Sequence, residues 1–179
     1  MFHPLSIYKS NIKKEMLNEA VQFVNKLQHQ FQERSWDCPI RTSYNVNDNI
    51  LNCRNLINLK RQIQLHLDEF MYSREFYYDG YIKESWINIY EKGFYQEFHQ
   101  HISNIDKSFS GVLYLSENNS AIEFDLVARH KIIPQFGDIL IFDDDLFHRV
   151  IPNNNDDLRI SLAFNFVKKN QWKGLLLEQ

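Results

Sequence analysis

From residue 80 onward, short β-type runs follow one another with no room for a helix between them. They read "YIKESWINIY", "FYQEFHQHI", "FSGVLYLS", "AIEFDLVA", "HKIIP", "DILIFD", "HRVIP" and "RISLAFNFV". Turn signals such as "EKG", "ENNS", "PQFGD" and "PNNNDD" separate them,. A parallel sheet would need a helical crossover between neighbours, whereas antiparallel strands need only a turn. The spacing therefore predicts an antiparallel sandwich or barrel over 80–168, of the jelly-roll kind.

The first 75 residues follow a different period. After Ser10 or Asn11, either of which is a suitable N-cap, the apolar residues Ile12, Met16, Ala20, Val24, Leu27 and Phe31 recur at about the helical repeat,. The polar stretch "ERSWDCPIRTSYNVNDN" reads as a turn-rich connection. Beyond it Leu56, Leu59, Ile63, Leu67 and Phe70 mark a second amphipathic helix,. His66 lies beside that stripe and reads as a helix-surface or half-buried histidine. The expected architecture is mainly β with N-terminal helices: a double-stranded β-helix (jelly roll, cupin-like) backed by two α-helices. At 179 residues the chain is expected to form one domain, 1–179, with a helical part over 1–75 and a jelly-roll core over 80–168,.

Composition excludes some function classes. A net charge of -3 without a basic block argues against a dedicated nucleic-acid binder, which needs clustered Lys and Arg to neutralise phosphates,. The two cysteines, Cys38 and Cys53, form no C-x-x-C pair, so neither a disulfide framework nor a cysteine zinc site is indicated,. The start "MFHPLSIYKSNIKKE" lacks the pattern of a secretory signal, and no run approaches a membrane span,. A cytoplasmic protein is the expectation.

The chemistry-bearing residues are few and ordered. In "EFHQHI" a strand would set His99 and His101 on one face and Gln100 on the other,. Two imidazoles converging on one point suit a transition metal, although a wet sheet face could carry the same pair. His148 follows in "DDDLFHRVIP", then Arg159 and Ser161 in "RISLAFNF". The aspartates 143–145 read as a solvated loop, and His3 and His130 have no partners in the sequence.

In that order these pieces resemble the Fe(II)- and 2-oxoglutarate-dependent oxygenases. The string "SWINIY...FHQHISNIDKSFSGVLYLSENNSAIEFD...IIPQFGDILIFDDDLFHRVIPNNNDDLRISLAFN" is similar to a phage and bacterial oxygenase family reading W-x-N, H-x-H, S-G-v-x-Y-L, P-x-x-G-x-l-x-F, H-x-V-x-P-N and R-x-S-x-x-x-N. The opening "FHPLSIYKSNI" resembles that family's start as well.

The resemblance implies Fe(II) and 2-oxoglutarate as cofactor and cosubstrate, with His99 and His148 as metal ligands. The wider superfamily places Asp or Glu two residues after the first histidine. Here His101 stands there, so His101, Asp106, Glu123 and Asp125 compete for the third ligand, and strand geometry favours His101. Arg159 is the expected partner of the distal carboxylate of 2-oxoglutarate, because a guanidinium offers a two-pronged donor that lysine lacks. Ser161 shares its face and can add a hydrogen bond. The alternative for Arg159 is a surface pair with Asp156 or Asp157. Ile160, Leu162, Phe164 and Phe166 take the opposite face, toward the helices.

Asn88, from the W-x-N run with Trp86 and Tyr90, and Tyr114, on one face with Ser110 and Val112, are further cosubstrate candidates. The implied reaction is oxidative decarboxylation of 2-oxoglutarate to succinate coupled to hydroxylation of a primary substrate, O2 being consumed. A protein side chain or small molecule fits better than nucleic acid. Two other classes remain open: a three-histidine cupin-like metalloenzyme that does not use 2-oxoglutarate, and a non-enzymatic jelly-roll module.

Overall fold

The computed structural model describes residues 7–35, 39–44, 49–74, 80–101, 108–118 and 120–168. His3, Cys38 and Asp106 lie outside them. The strand Asp138–Asp143 (β9) explains the layering, because it is apolar on both faces and must therefore be covered twice,. Ile139 and Ile141 join a large core cluster with the helices, while Leu140 and Phe142 join a second cluster with Tyr114, Ile122 and Phe124 between two sheets.

The other elements are β1 (Ile7–Asn11), α1 (Lys14–Leu27), β2 (Gln32–Ser35), β3 (Pro39–Thr42), α2 (Ile57–Ser73), β4 (Gly80–Tyr90), β5 (Gln96–His99), β6 (Ser108–Tyr114), β7 (Ile122–Phe124), β8 (His130–Ile132), β10 (His148–Val150) and β11 (Arg159–Lys168). The major sheet runs β1-β9-β6-β11-β4-β3-β2 and the minor sheet β5-β10-β7-β8. Among the described residues every pair of neighbouring strands in the two sheets is antiparallel. Two such sheets backed by two helices form a double-stranded β-helix. Each of the eight runs read from residue 80 onward contains one of its strands.

The helices cover the outer face of the major sheet. Leu17, Ala20 and Val24 of α1 and Leu59, Ile63, Leu67 and Phe70 of α2 pack with Ile87, Ile89, Ile160, Leu162, Phe164 and Phe166 in one buried cluster. The α2 stripe agrees with the helical repeat read from sequence.

The α1 reading needs correction. Ser10 and Asn11 belong to β1, Lys13 is the N-cap, and Met16 is 42 % exposed while Leu17 is buried. The physical reason is pairing: β1 is held along β9 from Ile7↔Phe142 to Asn11↔Asp138, and the Asn11 amide donates to Asp138 Oδ1 at 3.2 Å. The stretch read as a turn-rich connection also holds β2 and β3, which extend the major sheet beyond β4. His66 is half-buried, its Nδ1 3.0 Å from the Tyr8 hydroxyl. Among the described residues no helix is long and apolar enough to cross a membrane.

Candidate active site

The minor sheet brings two histidines face to face. In the antiparallel pair of β5 and β10, His99 stands opposite His148, so both side chains emerge on the same face,. His99 Nδ1 lies 2.9 Å from the Glu97 carbonyl and His148 Nδ1 lies 2.8 Å from the Leu146 carbonyl. A carbonyl can only accept, so each ring carries its proton on Nδ1 and leaves the Nε2 lone pair free for a ligand.

His101 arrives differently. The strand ends at His99, and alternation along β5 does not reach His101. Its backbone N–H donates to the Asp144 carbonyl at 2.8 Å, and its ring lies against Trp86, with centroids 6.0 Å apart. One ligand atom from each of the three rings falls within 4.8 Å of the others. Burial pushes the pKa of His99 down, that of His101 down to about 4, and that of His148 well below the ordinary value. Repulsion from His99 adds to the shift at His101 and His148. At neutral pH all three rings are therefore uncharged, the form that binds a metal.

The carboxylate alternatives separate from this cluster. Arg149, not His148, stands opposite Glu123, which puts Glu123 on the outer face of the minor sheet. There Arg149, Lys131 and Arg129 lie 3.0, 3.3 and 3.4 Å from its oxygens. Burial raises its pKa, but the Lys131 hydrogen bond and the three cations outweigh it and hold the carboxyl below its usual value. Asp125 is exposed and its N–H donates to the Phe147 carbonyl; it is not in the cluster.

Across from the histidines, the inner face of the major sheet carries Arg159, Ser161 and Ala163 of β11. They stand beside Tyr90, Asn88 and Trp86 of β4, with Ser161 beside Tyr114 of β6. Arg159 is only 2 % exposed. Its Nη1 donates to the Ala121 carbonyl at 3.1 Å and its Nη2 to the Tyr114 hydroxyl at 3.4 Å, while Nε is buried with no partner. The rings of Tyr90 and Tyr114 lie 5.5 and 5.3 Å from the guanidinium carbon.

Among the described residues no carboxylate pairs with this cation. Asp156 is bound by Lys92 at 2.8 Å, and Asp157 contributes its carbonyl to Asn118 and Asn153, so the surface-pair alternative does not hold. Ser161 and Asn88 are buried, and Asn88 Oδ1 has no partner. Burial raises the Tyr114 pKa against the opposing effect of Arg159, which leaves the hydroxyl protonated at neutral pH. The pocket between the two walls has an empty volume of about 500 Å³, its open mouth included, and is lined by all three histidines, Asn88, Tyr114, Arg159 and Ser161.

Some contributors were not read from the sequence. Asn153 is fully buried and donates to the carbonyls of Tyr90 and Asp157, while its Oδ1 accepts from Asn118 and Ser120. It ties the loop after β10 to the segment whose Ala121 carbonyl holds Arg159. The asparagine of "HRVIPN" was the available signal. Ser110 donates to Asn165, which donates to Glu84, a polar ladder whose first two members line the pocket.

Residues 124–165, which include His148, Arg159 and Ser161, match the family model described as "Putative 2OG-Fe(II) oxygenase". A Pseudomonas putida prolyl-4-hydroxylase superimposes with a TM-score of 0.71 at 14 % identity, over 92 % of this chain and 94 % of that one. The chain therefore shares its fold with that hydroxylase, and its sequence match to the oxygenase family covers residues 124–165. The viral collagen prolyl hydroxylase of Paramecium Bursaria Chlorella virus-1, in its 2OG complex, gives 0.67 at 14 % identity, over 90 % and 96 %. The epimerase SnoN, in complex with Fe3+, alpha ketoglutarate and nogalamycin RO, gives 0.72 at 10 % identity, over 90 % and 78 %. No curated protein matches this chain in sequence.

Proposed function

We propose that the protein is an Fe(II)- and 2-oxoglutarate-dependent dioxygenase that hydroxylates a protein side chain or a small molecule. The observation that carries this reading is Arg159: a buried guanidinium with an unpaired Nε, on the wall facing three neutral imidazoles. A buried cation without a counter-charge is costly, and a dicarboxylate reaching from the metal would supply one. Iron and 2-oxoglutarate in the SnoN complex and 2OG in the viral hydroxylase support the same pair of ligands here. A cytoplasmic setting in a bacterial or phage-infected cell is part of the proposal.

In this reading His99, His101 and His148 hold the metal through ring nitrogens. Arg159 binds the distal carboxylate of 2-oxoglutarate, Tyr114 and Ser161 donate hydroxyl hydrogen bonds beside it, and the amide of Asn88 adds a polar contact. The flanking rings of Tyr90 and Tyr114 exclude water, which strengthens the charged pair. Bound together, iron and 2-oxoglutarate would supply the oxidation: the oxo acid would lose CO2 and take up one oxygen atom of O2 to give succinate, and the other oxygen atom would go to the substrate.

The test is an anaerobic titration of metal-loaded protein with 2-oxoglutarate. Removing one partner of a desolvated charged pair costs about 2 to 5 kcal/mol, so Arg159→Leu should weaken binding by at least about thirtyfold, with the metal retained. Unchanged affinity would remove the assignment and favour the three-histidine metalloenzyme that does without 2-oxoglutarate. A folded wild type that binds no metal would favour the non-enzymatic module.

A further inference from the structure

His99 and His148 each have a ring nitrogen fixed by a carbonyl two residues earlier in the chain, which sets both tautomer and ring plane,. His101 has no such bond among the described residues. It stands beyond the end of β5, tied to the sheet by the backbone bond to Asp144. Its ring instead stacks with two others: the indole of Trp86, at 6.0 Å and 29° to it, and the imidazole of His148, at 5.4 Å and 5°, while His99 meets it edge-on at 5.2 Å and 60°.

Trp86 is itself immobilised. It is buried on β4 opposite Ala163 of β11, and Tyr44 meets its ring edge-on at 5.0 Å and 88°. His101 thus has a rigid aromatic surface stacked with its ring, where the other two ligands have a hydrogen bond at Nδ1.

We infer that Trp86 is the positioning residue of the third ligand: its indole face fixes the plane of His101 and thereby aims the ligand nitrogen at the metal. The inference rests on the reading of His101 as a ligand. Two properties of the indole matter. Its flat face restricts the plane in which the imidazole can lie, and it does so without a polar group that would compete for the imidazole's donor or acceptor. A flat aromatic replacement keeps most of this and a flexible aliphatic one does not, so Phe and Leu at position 86 should separate orientation from mere burial.

Co(II), which reports its ligand set through its visible absorption, is the probe. The whole chain is titrated anaerobically, with near-ultraviolet circular dichroism confirming that each variant is folded. Wild type should bind one Co(II), and Trp86→Phe should stay within about threefold of it. Trp86→Leu should bind about tenfold more weakly, as expected for loss of a contact that orients a ligand, and its absorption should move toward that of His101→Ala. The deciding comparison is the double variant. If Trp86 acts through His101, Trp86→Leu should have no further effect on Co(II) affinity in the His101→Ala background. Should Trp86→Leu not fold, Trp86→Met, which keeps bulk without a flat face, takes its place.

A folded Trp86→Leu or Trp86→Met with wild-type affinity and absorption would overturn the inference, as would losses that simply add to those of His101→Ala. If instead His101→Ala binds Co(II) as tightly as wild type, the ligand assignment beneath the inference is what fails.

Discussion

A buried cation and three uncharged imidazoles are individual side chains whose chemistry singles them out, and that is why they were legible. Imidazoles at 99, 101 and 148 and a guanidinium at 159 are what a metal and a dicarboxylate call for, and all four line one pocket. That His101 lies beside the other two rings was legible, but the cause was not. Strand alternation suggested it, whereas β5 ends at His99 and a long-range bond to Asp144 brings His101 in. Carbonyl partners such as Ala121 leave no trace in a sequence, because every residue has one.

Two predictions belong at this scale. His101→Ala should weaken metal binding at least about tenfold, while His101→Asp, which offers an anionic oxygen at the same point, should recover most of it. Metal competition titrations would measure both. Tyr114→Phe removes the hydroxyl that receives Arg159 Nη2 at 3.4 Å. One neutral hydrogen bond is worth about 0.5 to 1.5 kcal/mol, so 2-oxoglutarate should bind roughly two- to tenfold more weakly. An unaltered Kd would take Tyr114 out of the cosubstrate site.

Among the elements, β4 to β11 and α2 were readable because their periods are clean and their turns well marked. β1 was not: its five residues carry no strong alternation, and its place is set by β9, more than a hundred residues away. The face assignment of β11 gives one prediction. Phe164 is fully buried, and a Cβ on Gly111 would lie 2.1 Å from its ring, so phenylalanine and glycine fit each other across the strands. Phe164→Ala should cost about 3 to 5 kcal/mol of stability while a folded fraction still binds metal; full thermal stability would show that the strand faces the other way.

Asp138 gives another. It anchors β1 and the turn before β9, accepting from Lys9 at 2.9 Å, from Asn11 and from the Gln135 N–H. In that turn Gly137 has φ +86°, and a Cβ there would sit 2.6 Å from the Ile12 carbonyl. Burial raises the Asp138 pKa, but the Gln135, Lys9 and Asn11 contacts together lower it below 3.8. A depressed carboxylate binds fewer protons folded than unfolded, so its contribution to stability is full above pH 3.8 and is lost as pH falls through the folded value. The melting temperature of wild type should therefore exceed that of Asp138→Asn at pH 6, with the gap closing below pH 3.8. A gap that stays constant into acid would mean the contacts do not depend on charge.

Across the whole molecule, the two sheets divide the labour. The major sheet carries Arg159, Ser161, Asn88 and Tyr114 and is stiffened from behind by two helices; the minor sheet carries His99 and His148 and faces it. The jelly roll was legible because antiparallel strands with short turns admit few topologies. The addition of β2 and β3 to the sheet was not, because a polar stretch without a clear period is decided by what it pairs with. A crystal structure of the protein with Mn(II) and 2-oxoglutarate would decide the ligand set and the place of the cosubstrate. The ion should sit on nitrogens of His99, His101 and His148, and a carboxylate of 2-oxoglutarate on the guanidinium of Arg159. An ion held by a carboxylate in place of His101, or a 2-oxoglutarate bound away from Arg159, would contradict that arrangement.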